Sequence, residues 1–279
     1  MMMLRMIAGI VLAAASLVGC GGGGDGGSVA PAAKTMKLSL YGQPLVIGSK
    51  ASSKAQLLAV ANAASSAPAT SSDAAASVQA LQAALAARGV TANVTAQVMD
   101  GTTLHQIVVG ENNGLPPTPD QFKADPSEYL VVNFELDDMA SRTDDPTQGA
   151  AINQFIQDLT VFAQRASVSG KLVLAIAPIL TCDQPPGFSA AYGLQYAITQ
   201  ASSKALIQEI GGVPLTIGYD GSGNVIRTPE LAHLGADCRT PDAYLLDART
   251  QAAADAIAAL YKQSAGTATA ASGASAAGT

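Results

Sequence analysis

Two strand-length apolar runs, Tyr129 to Phe134 and Lys171 to Ile176, lie on either side of one long amphipathic stretch, and this arrangement restricts the fold more than any other feature. A strand that is apolar throughout has to be covered on both faces. The stretch between the runs, Gly149 to Ser167, places Ile152, Phe155, Ile156, Leu159 and Phe162 on one side of a helix, which is the stripe that packs on such a sheet.

The rest of the chain repeats the alternation. Met36 to Leu40 reads as a short strand. Asp73 to Arg88 reads as a helix, because Val78, Leu81 and Leu85 recur at three and four residues and Gly89 closes it. Val90 to Val98 reads as a strand, Thr102 to Val109 as a short helix, Ala190 to Glu209 as a helix, Val213 to Ile217 as the last strand and Thr250 to Lys262 as the closing helix. Ser49 to Ser72 is rich in Ala and Ser and is helical in part, while Asn112 to Asp120 is a Pro- and Gly-rich loop. Strands alternating with helices imply an α/β fold: a three-layer sandwich around a mainly parallel sheet with right-handed crossovers. Ligands bind such sheets beyond the carboxyl ends of the strands. The loops that begin at Gly42, Met99, Glu135, Pro178 and Asp237 therefore carry the functional interest.

The ends of the chain read differently. Residues 1–19 have a positive charge at Arg5 and an apolar run from Met6 to Val18, too short to span a bilayer, and are expected to be a signal peptide. The run ends in Leu17-Val18-Gly19-Cys20. That sequence resembles the bacterial lipoprotein processing box, which implies that Cys20 becomes the acylated N-terminus, anchored in the membrane by its acyl chains. The expected location is the bacterial cell envelope, on the outer membrane and facing the periplasm. Residues 20–35 are expected to be a flexible tether, 36–263 the folded domain and 264–279 a disordered tail. The residues specify no oligomeric state.

Composition excludes one class of partner. The chain has 15 basic and 21 acidic residues; losing the leader removes Arg5, leaving 14 against 21, a net charge of −7. With no basic cluster and no Trp, nucleic acid is not an expected partner. With Cys20 lipidated, Cys182 and Cys238 remain as a pair in an oxidising compartment, and a disulfide is expected. Two separate thiols are the alternative. A zinc site is disfavoured because only His105 and His233 are present to help, so no metal and no cofactor is expected.

The loops, taken in order, resemble the blocks of the SGNH/GDSL hydrolases, a superfamily of serine esterases and lipases, over roughly Met36 to Tyr261. The family's first strand ends in Gly-Asp-Ser, often as Tyr-Gly-Asp-Ser; here it ends in Tyr41-Gly42-Gln43-Pro44. Gly101-Thr102-Thr103 matches the glycine block. Asn133-Phe134-Glu135-Leu136-Asp137-Asp138 stands for Asn-Phe-Gly-x-Asn-Asp. Ala177-Pro178 matches the proline-containing turn, and Asp237-Cys238-Arg239-Thr240-Pro241 stands for Asp-x-x-His-Pro. The resemblance implies a flavodoxin-like three-layer sandwich.

It also implies a reaction. The family's serine attacks an ester, its histidine takes the proton, and the aspartate three residues earlier orients the imidazole. An oxyanion hole uses the serine N–H, the glycine N–H and the asparagine amide. In this chain Pro44 occupies the nucleophile slot without a hydroxyl or an N–H. Asp137 replaces the amide with a carboxylate, and Thr240 cannot act as the base. Gly101 and Asp237 keep their roles. The expectation is a degenerate member that binds an acyl or glycan ligand; an active esterase is the alternative. A substitute triad of Ser49, His233 and Asp237 is conceivable, but His233 reads more simply as a loop residue and His105 as a helix-surface residue. Ser39, on the first strand, is core or solvent-facing. Asp137, Asp138, Asp237, Asp242 and Asp247 read as a solvated acidic rim, since they lack the spacing of a calcium loop. Finally, the resemblance places Cys182 and Cys238 at the same end of the sheet, where a disulfide pins the last loop.

Overall fold

In the computed structural model of the protein, residues 35–46, 71–112 and 118–274 are described, with side chains through Ser264. The leader, the tether, Ser49 and most of the Ser49–Ser72 stretch lie outside the described residues. Strands β1 (Met36–Gly42), β2 (Ala92–Val98), β3 (Tyr129–Asn133), β4 (Leu172–Ile176) and β5 (Ile207–Ile210) form one sheet in the order β2-β1-β3-β4-β5. All four pairings are parallel. This is the flavodoxin-like order of a doubly wound fold, with the crevice at the β1/β3 switch point.

Helices α1 (Ser71–Ala86), α2 (Leu104–Val109), α3 (Pro146–Val168), α4 (Ala190–Ser202) and α5 (Ala243–Ala274) cover the two faces. On one face Phe155, Leu159 and Phe162 of α3, with Leu194 and Ile198 of α4, bury Leu130, Val132, Val173 and Ala175. On the other, Leu81 and Leu85 of α1, with Ala254 and Ile257 of α5, bury Leu38, Leu40, Val131, Leu174 and Ile176. Neighbouring residues of β3 and β4 thus feed opposite cores, which is why both strands read as unbroken apolar runs. The result is a three-layer α/β sandwich around a parallel sheet. Among the described residues no helix is long and apolar enough to cross a membrane.

The sequence reading needs correcting at the carboxyl-terminal end. The helix over Ala190–Glu209 ends at Ser202, and Ile207–Ile210, which overlaps the end of that range, is the fifth strand. Ser202 and Ser203 turn their hydroxyls back onto the helix carbonyls of Ile198 and Gln200, and this local bonding competes with further helix. Val213–Ile217 is not a strand; a small antiparallel hairpin, β6 (Gly218–Tyr219) with β7 (Val225–Ile226), follows it. The last helix begins at Ala243, seven residues before Thr250, because Asp242 accepts hydrogen bonds from the N–H groups of Tyr244 and Leu245 and so caps its first turn.

Ser39 is fully buried, and its hydroxyl donates to Asp125 at 3.0 Å. The Tyr41 hydroxyl reaches the other oxygen of Asp125, also at 3.0 Å, and burial followed by that carboxylate pushes the phenol's pKa up. Tyr41 is thereby held inside an edge-to-face cluster with Phe122 and Phe162.

Gly42 fixes the top of β1. It has φ +92°, and a Cβ there would stand 2.5 Å from the Asn133 carbonyl oxygen. A Gly42→Ala substitution combines left-handed strain with a backbone clash and should lower stability by about 3 kcal/mol. Urea unfolding measures this; a loss below about 1 kcal/mol would show that the β1–β3 contact is not as close as described.

Candidate functional site at the carboxyl end of the sheet

The first loop leaves β1 clamped to β3. Gln43 donates its N–H to the Asn133 carbonyl at 2.7 Å, and the Asn133 amide donates back to the carbonyls of Gln43 at 2.9 Å and Pro44 at 3.3 Å. Leu45, buried, donates its N–H to Ser77 of α1 at 2.9 Å. Pro44 therefore stands just beyond the strand with its carbonyl engaged and without an N–H to offer.

The second loop turns at Gly101, φ +92°. Asp100 accepts the Thr102 N–H at 3.1 Å and its hydroxyl at 2.6 Å. Thr103 then caps α2 through a reciprocal box with Gln106, satisfying two orphan donors at once.

After β3 the chain alternates. Phe134 and Leu136 are buried, while Glu135 and Asp137 are exposed. Glu135, Asp137, His105, Gln154, Phe155 and Asp158 line a small recess of about 10 Å³ between α2 and α3, about the space of one water molecule. Asp158 is a buried carboxylate on the inner side of α3. It accepts from the Gln154 amide at 3.1 and 3.2 Å and lies 3.0 Å from the His105 Nδ1. His105 is thus more than a helix-surface residue: it ties α2 to α3.

The last loop follows a 3-10 turn, Glu230–Leu234. Asp237 accepts the Thr240 hydroxyl at 2.7 Å on one oxygen and the N–H groups of Arg239 and Thr240, each at 3.1 Å, on the other. Crowding raises the Asp237 pKa, but these hydrogen bonds outweigh it and hold the carboxyl below the ordinary aspartate range. The Thr240 hydroxyl, three residues on, thus closes the loop back onto Asp237. His233 has other partners. It pairs with Asp242 at 2.8 Å and stacks on Tyr244, ring centroids 4.2 Å apart. Of the substitute triad, then, two members have other contacts and Ser49 lies outside the described residues.

The disulfide between Cys182 and Cys238 is present and joins the loop after β4 to this last loop. The Cys182 N–H donates to the Cys238 carbonyl at 2.9 Å, and Cys238 has φ +57°.

Four of the five carboxylates of the acidic rim have separate hydrogen-bonding roles, and Asp137 lines the recess. Asp138 accepts the Ala140 and Ser141 N–H groups, Asp237 holds its own loop, Asp242 caps α5, and Asp247 accepts the Gln251 amide. Among the described residues no three His, Cys, Asp or Glu side chains are grouped to hold a metal ion.

The surroundings of two further residues were not legible in the sequence. Glu135 was visible as a carboxylate in the glycine position of its block. Although part of the residue reaches solvent, the protein packed around its carboxyl pushes the pKa up, against the pull of Arg249 and then Arg239. Arg249, on α5, gave no sequence signal, because its position depends on where that helix begins.

No family model matches the chain, and the search of curated proteins finds no match. Solved structures do resemble it. A Slackia heliotrinireducens protein described as an SGNH hydrolase is 14% identical at a TM-score of 0.45, over 80% of this chain and 98% of that one. The crystal structure of TesA is 16% identical at 0.43, over 77% and 94%. A carbohydrate esterase family 2 enzyme with a carbohydrate binding domain, from Corynascus thermopiles (Myceliophthora fergusii), is 15% identical at 0.39, over 81% and 67%. The fold assignment rests on the strand order and layering described above.

Proposed function

We propose that the protein is a bacterial lipoprotein, anchored through Cys20 to the outer membrane and facing the periplasm. On this reading its SGNH-hydrolase-like domain has lost esterase chemistry and serves as a binding module for an acyl or glycan ligand. One observation carries it. The residue beyond β1 is Pro44, which offers no nucleophile and no N–H, while Asp237 is saturated by Thr240 where an imidazole would be needed. Asp137 adds to this, because an exposed carboxylate there repels a developing oxyanion.

The competing reading, an active esterase, is favoured by the His105–Asp158 pair, since a buried carboxylate against Nδ1 is how an imidazole is oriented as a base. The recess beside that pair has no serine or cysteine in its lining. Hydrolysis of p-nitrophenyl esters by the full-length protein and by a His105→Ala variant separates the two. Turnover lost in the variant sinks the binding-module reading; a rate equal to buffer supports it.

A further inference from the structure

We propose that Arg249 is the recognition point for a carboxylate on the ligand, in the crevice beyond the carboxyl end of the sheet. This rests on the binding-module reading and narrows its acyl or glycan ligand to an acidic one: a free fatty acid or a glycan bearing uronic acid.

Arg249 lies in the second turn of α5. Its own carbonyl oxygen is 3.4 Å from where a Cβ on Gly211 would stand, and Gly211 is the residue immediately after β5. The side chain therefore starts at the end of the sheet where ligands bind in this topology. Its Nε is buried and has no hydrogen-bond partner. Among the described residues no hydrogen bond, and no ion pair within 4.0 Å, engages its guanidinium.

The other described arginines are all partnered. Arg88 is bound by Asp255, Arg142 by Asp144, Arg165 by the Val108 carbonyl, Arg227 by the Ala236 carbonyl, and Arg239 faces Asp183 at 3.9 Å. A buried donor left unmet is costly, and a guanidinium carries five donors in a planar fork. Burial works against the charged form of Arg249, and Glu135 is the one charge that favours it.

A ligand carboxylate supplies what is missing. It is planar, singly charged and can accept two parallel N–H bonds from the fork. A phosphate is disfavoured, since its second charge would meet Glu135, the carboxylate that already faces Arg249. Glu135 sets the affinity, because its carboxylate competes with the ligand's for the same cation.

The test is calorimetric titration of the full-length protein with octanoate and with trigalacturonate, each beside a neutral counterpart, 1-octanol or galactotriose. One acid should bind, and its neutral counterpart should bind about 10- to 100-fold more weakly. Which acid binds decides between fatty acid and uronic glycan. Arg249→Met should reduce the acid to the affinity of its counterpart. Arg249→Lys, which keeps the charge and loses the fork, should fall between, and Glu135→Gln should bind the acid more tightly than wild type. Equal binding of acid and neutral forms, or full affinity for the acid in a folded Arg249→Met protein, overturns the role of Arg249 and leaves the binding-module reading standing. Binding of none of the four probes by the wild type overturns both. Steady hydrolysis of p-nitrophenyl octanoate overturns the binding-module reading on its own.

Discussion

The full-length protein will hydrolyse p-nitrophenyl acetate and butyrate no faster than buffer, and Asp237→Asn will leave that rate unchanged. The expectation follows from what the crevice lacks rather than from a low activity. Removing a nucleophile or a base from a serine hydrolase costs on the order of 10⁴- to 10⁶-fold in turnover, and the losses do not add because the groups act as a unit. Pro44 has neither hydroxyl nor N–H, and its carbonyl is already held by the Asn133 amide. The Thr240 hydroxyl donates to Asp237, which makes it a structural partner of the carboxylate rather than a proton acceptor. An Asp237-dependent rate above background would show that a serine outside the described residues has been brought to this loop.

The second large effect concerns the disulfide. Replacing Cys182 and Cys238 together with serine should destabilise the protein by about 4 kcal/mol, the chain-entropy value for a bridge spanning 56 residues. For a domain of this size that corresponds to a fall in Tm of roughly 8–16 °C. The bridge closes the segment that holds β5, the small hairpin and the 3-10 turn, and it packs with Ile179, Leu231, Leu234 and Leu245 in a satellite core separate from the two beside the sheet. Calorimetric scans of the wild type with and without reductant check the figure. A shift of less than about 2 °C on complete reduction would mean that the satellite core holds the last loop unaided.

Much of the fold was legible because β3, β4 and α3 are written in one pattern each. Apolar runs and a clear stripe specify a buried strand or a helix face wherever they occur. The end of α4 was not legible, since Leu206 to Ile210 continues an apolar spacing that helix and strand share; the side-chain bonds of Ser202 and Ser203 decide it. At the candidate site, Gly42, Gly101, Asp137, Asp237 and Thr240 were singled out by position within short blocks. The placement of Cys182 against Cys238 followed from the order of those blocks and was confirmed. His105 against Asp158, and Arg249 near Glu135, join residues far apart in the chain whose partners lie on the flanks of different helices. No local period marks such contacts.

The strand order has a consequence for how the chain is made. β1 is the first described strand to be synthesised, yet it pairs on one side with β2 and on the other with β3. Gly42 must wait for Asn133, some 90 residues later, which at about 5–20 residues per second is roughly 5–20 s of translation. Leu38-Ser39-Leu40-Tyr41, destined for the interior of the sheet, can gain β2 as a neighbour once Val98 is made, but its β3 edge stays open until Asn133. The nascent chain thus makes an inner strand of the sheet first and closes its second edge late, so that edge has to be kept from other chains before the fold can cover it.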